Sequence, residues 1–319
     1  MRVIRCLIVV VLALTSLPTV ARESGDPWTA HYMWRRYHNP TAPCDAAQDK
    51  ADYLCTGILM RATHPGEATH VWWPEAKSLD PNSASVGGVS FSYIRDDLEL
   101  PGPFFHPNGF TLYPQLGKYK APDDKMKLTV LCAFPRDGFT DARNIKGCGR
   151  YPDYPQVSQP CPAGMTGQQW VAKYPAVQGK AICGFDTTSQ SRAAFKPFLD
   201  AMHGLGGRPL AGYTYTHNEL RIAAWPANDA TSKILPIESF FYVAGHPEGL
   251  TNARNDQLEF YNTTKQFVPI IKMTYPTAAV PVYDFSYTKS DQNPNVPIPK
   301  FPDQDPLPCD KHGGFDTKC

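Results

Sequence analysis

A chain of 319 residues is long enough for one large domain or two small ones. Its 31 basic and 30 acidic side chains nearly cancel, which is unlike the strongly basic composition of a dedicated nucleic-acid binder and leaves only local patches open. The 32 prolines and 23 glycines point to many turns and short strands rather than long helices.

Residues 1–21 read as a cleavable signal peptide. Arg2 and Arg5 give a positive start, Leu7 to Leu14 is a short apolar run, and Thr19-Val20-Ala21 supplies small residues for cleavage after Ala21. Cys6 lies inside the apolar run, too early for a lipobox. No later segment has roughly 18 consecutive apolar residues, so a secreted chain with no transmembrane segment is expected. The 31 basic residues less Arg2 and Arg5 leave 29 against 30 acidic in the mature chain. The nine cysteines less Cys6 leave eight, and an even count in an exported chain reads as disulfides. Neighbour pairing predicts Cys44–Cys55, Cys132–Cys148, Cys161–Cys183 and Cys309–Cys319. No CxxC pair or finger-like Cys/His spacing calls for zinc, and no metal is expected.

In chain order, residues 26–55 form a helical lead-in with a second short helical pattern over Ala46 to Leu54. Thr56 to Thr63 reads as a buried strand with Arg61 near its end. Residues 64–88, rich in Pro, Gly, Ser and Asn, read as a loop. Val89 to Arg95 alternates as a strand and sets Ser90 and Ser92 on one face. Further strands are predicted at Gly109 to Tyr113 and Leu128 to Cys132. Residues 133–190 read as an irregular, disulfide-stapled insertion, and Arg192 to His203 as the clearest helix of the middle region. Strands follow at Glu219 to Trp225, Ile237 to Val243 and Phe267 to Met273. The proline-rich tail, 291–319, should be extended and poorly packed. The predicted class is α+β, with a mixed, mainly antiparallel sheet, in a single domain over 22–290.

Three segments carry chemistry. An arginine closing an apolar strand, Arg61, either pairs internally or grips an anion with its planar fork. Ser90 and Ser92 are an ordinary solvated face or a hydroxyl pair aimed at a ligand. Glu219 opens a strand that is otherwise apolar apart from Arg221. The pair Gln257-x-Glu259 is a weaker candidate for the same carboxylate role. His64 and His70 have poor metal spacing, and Trp72-Trp73 is more often packing than a platform for a base or sugar.

Order and local wording connect the three. Leu59-Met60-Arg61-Ala62-Thr63, then Val89-Ser90-Phe91-Ser92-Tyr93-Ile94-Arg95, then Glu219-Leu220-Arg221-Ile222-Ala223, then Leu235-Pro236-Ile237 into another strand, resemble the Arg–Ser–Glu class of ADP-ribosyltransferase toxins, the cholera and pertussis type. Over roughly residues 40–290 the chain also resembles halovibrin-type secreted bacterial proteins, described as ADP-ribosyltransferases. The stretches that carry this second resemblance are Cys55-Thr56-Gly57-Ile58, Gly88 to Tyr93, Asn218 to Ala223 and Asn255 to Tyr261. Three departures stand out: Phe91 replaces a threonine, His217 stands where the toxins usually carry Glu or Gln, and the stretch between Ser90 and Glu219 is long for the class.

The resemblance implies an ADP-ribosyltransferase-like fold and NAD as substrate, with the ADP-ribosyl group passed to a macromolecular acceptor, protein or nucleic acid. Cleaving the nicotinamide–ribose bond develops oxocarbenium character, which a carboxylate beside the ribose stabilises. By that resemblance Glu219 is the catalytic carboxylate, Ser90 holds it, and Ser92 assists. Arg61 binds the NAD phosphates or the adenosine side. His217 orients or deprotonates the acceptor. No metal is needed, and a monomer is expected. The competing readings are a secreted NAD glycohydrolase, a non-enzymatic secreted binding protein on the same fold, and a hydrolase of glycans.

Overall fold

The computed structural model describes residues 27–38, 49–63, 89–98, 107–116, 126–136, 159–174, 182–206, 217–226, 236–276 and 282–301. The leader at 1–21, the loop 64–88 with His64, His70 and Trp72-Trp73, and Cys44, Cys148, Cys309 and Cys319 lie outside the described residues.

The described residues form a mixed α+β fold. Its strands are β1 (Ile58–Ala62), β2 (Val89–Ile94), β3 (Asn108–Leu112), β4 (Met126–Phe134), β5 (Gln159–Pro160), β6 (Cys183–Asp186), β7 (Glu219–Pro226), β8 (Ile237–Val243), β9 (Ile270–Thr274) and β10 (Asp284–Tyr287). Its helices are α1 (Thr29–His38), α2 (Gly167–Lys173), α3 (Arg192–Leu205) and α4 (Pro247–Thr264). The strands join in one sheet in the order β10-β9-β8-β3-β1-β2-β7-β4-β6-β5. Every neighbouring pair is antiparallel except β8–β9 and β5–β6.

Both faces of the sheet are covered, and the sequence of β8 shows why. All seven of its residues are buried, so the strand reads as a continuous run rather than an alternation. Phe240 meets Phe260 of α4 edge to face, with ring centroids 5.8 Å apart. Ser239, on the opposite face, reaches Met33 of α1. Glu238 is fully buried, and a buried carboxylate is tolerable only when paired. Arg36 of α1 supplies the pair with two bonds, Nη1 to Oε1 at 2.8 Å and Nη2 to Oε2 at 2.5 Å.

Helix α3 starts at a Ser191 cap, whose hydroxyl accepts from the Ala194 amide, and ends at Gly206 in the left-handed region. Its buried stripe of Phe195, Phe198, Leu199, Met202 and Leu205 has helical spacing. Phe195 sets this stripe against Tyr93 of β2, with centroids 5.7 Å apart.

Three expectations are corrected here. The described parts of 133–190 are not an irregular segment outside the core. Where described, they extend the sheet past β4 through β6 and β5 and add α2. A Cys161–Cys183 disulfide, as neighbour pairing predicts, links the β5 side to β6, and the buried Trp170 of α2 donates Nε1–H to the Cys183 carbonyl at 2.8 Å. Cys55 and Cys132 are disulfide-bonded as well, to partners outside the described residues.

Second, α4 is an 18-residue helix that the sequence reading passed over. Parallel strands need a long crossover, and α4 is the crossover between β8 and β9.

Third, the tail does not leave the body at Asp291. Gln292, Asn293 and Val296 are buried. The Gln292 side-chain amide accepts from Ile270 N–H at 2.8 Å and donates to Ile270 C=O at 3.0 Å, so it caps the β9 main chain as a strand would. Gln257 of α4 donates to Gln292 Oε1 and accepts from the Asn293 amide. Among the described residues no helix is long and apolar enough to cross a membrane.

Candidate active site

The site lies where strand β2 changes partners. Its C-terminal half pairs with β1, through Met60↔Ser92 to Ile58↔Ile94. Its N-terminal half pairs with β7, through Val89↔Ile222 to Phe91↔Leu220. Beyond Met60, β1 leaves β2 but stays on β3, pairing Arg61 with Phe110 and Ala62 with Gly109. Gly109 is required there, because a Cβ would collide with the Arg61 carbonyl. Arg61 bridges the opening: its Nη1 donates to the Ser90 carbonyl at 2.8 Å.

Across β2, Ser90 is opposite Arg221. Side chains two residues apart share a face of a strand, so Ser90, Ser92, Arg221 and Glu219 lie on one face, while Phe91, Tyr93, Leu220 and Ile222 fill the core on the other. Glu219 is 2% exposed, and Arg221 holds its carboxylate with Nη1–H at 3.1 Å from Oε1. Ser92 is also buried, whereas Ser90 and Arg61 are partly exposed.

Strand β4 flanks β7 on the far side, with a register shift between Val130 and Cys132. The extra residue reverses which β4 side chains share a face with β7, a common way to re-aim residues beside a functional site. After the shift Cys132 faces Arg221 and Phe134 faces Glu219. Carried two residues further, this register sets Arg136, 1% exposed, across from His217.

His217 is buried, and that burial holds its imidazole down at about 4. The Glu219 carboxylate opposes the shift, and the Arg136 guanidinium adds to it. His217 is therefore neutral at pH 7. The sign follows for stability. A histidine with a depressed folded pKa binds a proton more readily when unfolded, so stability falls as pH drops from about 6.5 to about 4. At 1.36 kcal/mol per unit this comes to about 3 kcal/mol. Replacing His217 with Gln should flatten the pH dependence of urea midpoints across that window. An unchanged slope would show that His217 titrates normally.

Of the residues expected at the site, Ser90, Ser92, Glu219 and His217 fall on one face of β2 and the β7 segment, whereas the register sets Arg61 on the face of Leu59 and Phe110, from which its guanidinium reaches the Ser90 carbonyl. Arg61 makes a bond to protein main chain, and Arg221 is seen to hold the Glu219 carboxylate. Ser90 takes part through its carbonyl. The rival pair Gln257-x-Glu259 lies on α4, with Gln257 buried and committed to Val268, Gln292 and Asn293.

Sequence reasoning missed the roles of Arg221, Arg136 and Asn218. Arg221 had a readable signal, since a charge two residues after Glu219 must share its face. Arg136 follows Pro135 with no local pattern to mark it. Arg95, three residues past Ser92, is structural: buried, it forks onto Asp97 at 2.5 and 2.7 Å and reaches Asp52 at 3.0 Å. Asp97 in turn bonds His203 of α3. Among the described residues no cluster of three or more His, Cys, Asp or Glu side chains could hold a metal.

The chain matches no protein-family model and no curated protein.

Proposed function

We propose that this chain is a secreted mono-ADP-ribosyltransferase on an ADP-ribosyltransferase-like fold, which cleaves NAD and passes ADP-ribose to a macromolecular acceptor. One observation supports the reading above the others. Arg61, Ser90 and Glu219, distant in sequence, sit on the adjacent strands β1, β2 and β7 where β2 exchanges one neighbour for the other. The disulfide-bonded cysteines agree with an exported chain.

In this reading the chemistry is electrostatic. As the bond between nicotinamide and the ribose carbon breaks, its electron pair leaves with nicotinamide and positive charge grows on the ribose. The Glu219 carboxylate, oriented by Arg221, stabilises that charge and accepts from a ribose hydroxyl. Arg61, at the partly exposed end of β1, offers a planar fork to the phosphates. The acceptor nucleophile then bonds to the ribose carbon and gives up its proton to water, and the neutral His217 orients it through an imidazole lone pair. Glu219 is closed to solvent in this structure, so NAD binding requires side chains above it to move aside.

The test is incubation with labelled NAD, with and without cell lysate. The expected result is nicotinamide release with label carried into macromolecules. Equal release without lysate, as free ADP-ribose, identifies a glycohydrolase instead. No release under either condition overturns both readings.

A further inference from the structure

We propose that Asn218 is a positioning residue for Glu219: its side-chain amide replaces one rung of the β2–β7 ladder and sets where the carboxylate stands. This rests on the reading of Glu219 as the catalytic carboxylate.

The ladder between β2 and β7 ends at Phe91↔Leu220. Continuing that register brings Tyr93 opposite residue 218. A regular ladder would use the main chain of 218 there. Instead the Tyr93 amide donates to Asn218 Oδ1 at 2.8 Å, and Asn218 Nδ2 donates to the Tyr93 carbonyl at 2.7 Å. The amide presents a donor and an acceptor side by side, as a peptide group does, so it satisfies both groups of Tyr93. A side chain is longer than the rung it replaces. The backbone at 218 is therefore held off β2 by the Asn218 side chain, and the main-chain ladder to β2 begins at Leu220.

Asn218 is fully buried, and Tyr93 is anchored independently. The Tyr93 ring lies in the core against Phe195, and its hydroxyl donates to the Thr56 carbonyl at 3.2 Å. Gly57, at φ 63°, has no Cβ to obstruct that ring. The fixed side of the clamp is thus β2, and the positioned side is the start of β7. The next residue along is Glu219, whose partner Arg221 lies within the regular ladder opposite Ser90. Asn218 sets the spacing on one side of Glu219, and the ladder sets it on the other.

Two variants test this. Asn218→Ala removes the clamp and lets the main chain of 218 move toward Tyr93. Asn218→Asp keeps the shape but sets an acceptor against the Tyr93 carbonyl. Both should lower kcat for nicotinamide release by about 100-fold, the scale of a displacement of about 1 Å at a reacting group. KM for NAD should stay within about threefold, since the loss falls on the transition state. A merely structural residue would lower the melting temperature without this split, and kcat near the wild-type value in folded Asn218→Ala overturns the proposal. A crystal structure of Asn218→Ala is read separately from activity. Glu219 should be displaced from Arg221, and a carboxylate still within hydrogen-bond reach overturns the positioning role even if the wild-type protein releases no nicotinamide. Absence of release from the wild type, with Glu219 displaced in the variant, would sink the proposed function and leave the clamp standing.

Discussion

Glu219→Gln is expected to lower nicotinamide release from NAD by about 10²–10³-fold while the protein stays folded. The substitution is nearly isosteric. The amide oxygen still accepts from Arg221 Nη1, now 3.1 Å from Oε1, so the local hydrogen bond survives. What is lost is the negative charge that faces the growing positive charge on the ribose. Most of the loss should appear in kcat, because the interaction belongs to the transition state. The buried Arg221 also loses its counter-charge, which lowers stability, so rates must be compared on protein shown to be folded by its melting curve. Glu259→Gln on α4 is the control and should remain active. Normal turnover by folded Glu219→Gln would remove the carboxylate from the mechanism and with it the Arg–Ser–Glu assignment.

The second large effect concerns the tail. The proline content of 291–319 suggests a dispensable extension, and a chain ending at Ser290 should then behave as wild type. The structure predicts the opposite. Removing Gln292 leaves the Ile270 N–H and C=O without their partners and frees one side of Gln257. Removing Asn293 takes the partner of Gln257 Oε1 and the bond to the Arg254 carbonyl. Buried polar groups left unsatisfied cost roughly 1–3 kcal/mol each, so the sum is on the order of 5 kcal/mol, comparable with the whole stability of a small domain. A chain ending at Ser290 should show no cooperative melt, or one lowered by tens of degrees. One ending at Phe301 keeps all of these bonds and should melt near the wild-type temperature. Gln292→Ala should fall between the two. A stable chain ending at Ser290 would show that the clamp on β9 contributes little.

The elements legible in the sequence share a physical trait. Strands β2, β7 and β8 combine β-branched and aromatic residues in short runs, β1 is a short apolar run, and α3 has a cap, an apolar stripe of helical spacing and a terminal glycine. Such local signals survive without tertiary context. Helix α4 has a proline and Glu248 in its first turn but no side-chain cap and no terminal glycine. Its segment Pro247–Thr264 is rich in Asn and Thr and has a narrow apolar face, with only Gly249, Ala253, Gln257 and Phe260 buried. It is helical because it bridges the parallel strands β8 and β9. The ordered part of 133–190 was hidden for a related reason. Strands of two and four residues, Gln159–Pro160 and Cys183–Asp186, are stabilised by the edge of β4 and a disulfide rather than by their own pattern.

At the site, the sequence alone determined residue types and their order: an arginine ending one strand, two serines on one face of the next, and a glutamate opening a third. It also fixed that Glu219 and Arg221 share a face, because strand periodicity is two. Which strands become neighbours, and at what register, depends on long-range pairing. Only the tertiary structure decided that β2 passes from β1 to β7 at Ser92, that Arg61 reaches the Ser90 carbonyl across the opening, and that a bulge in β4 sets Phe134 across from Glu219. The same holds for polar side chains that act as main chain. Asn218 and Gln292 read as ordinary polar residues in the sequence. Each becomes a ladder rung because a buried strand lies opposite it with an N–H and a C=O to satisfy.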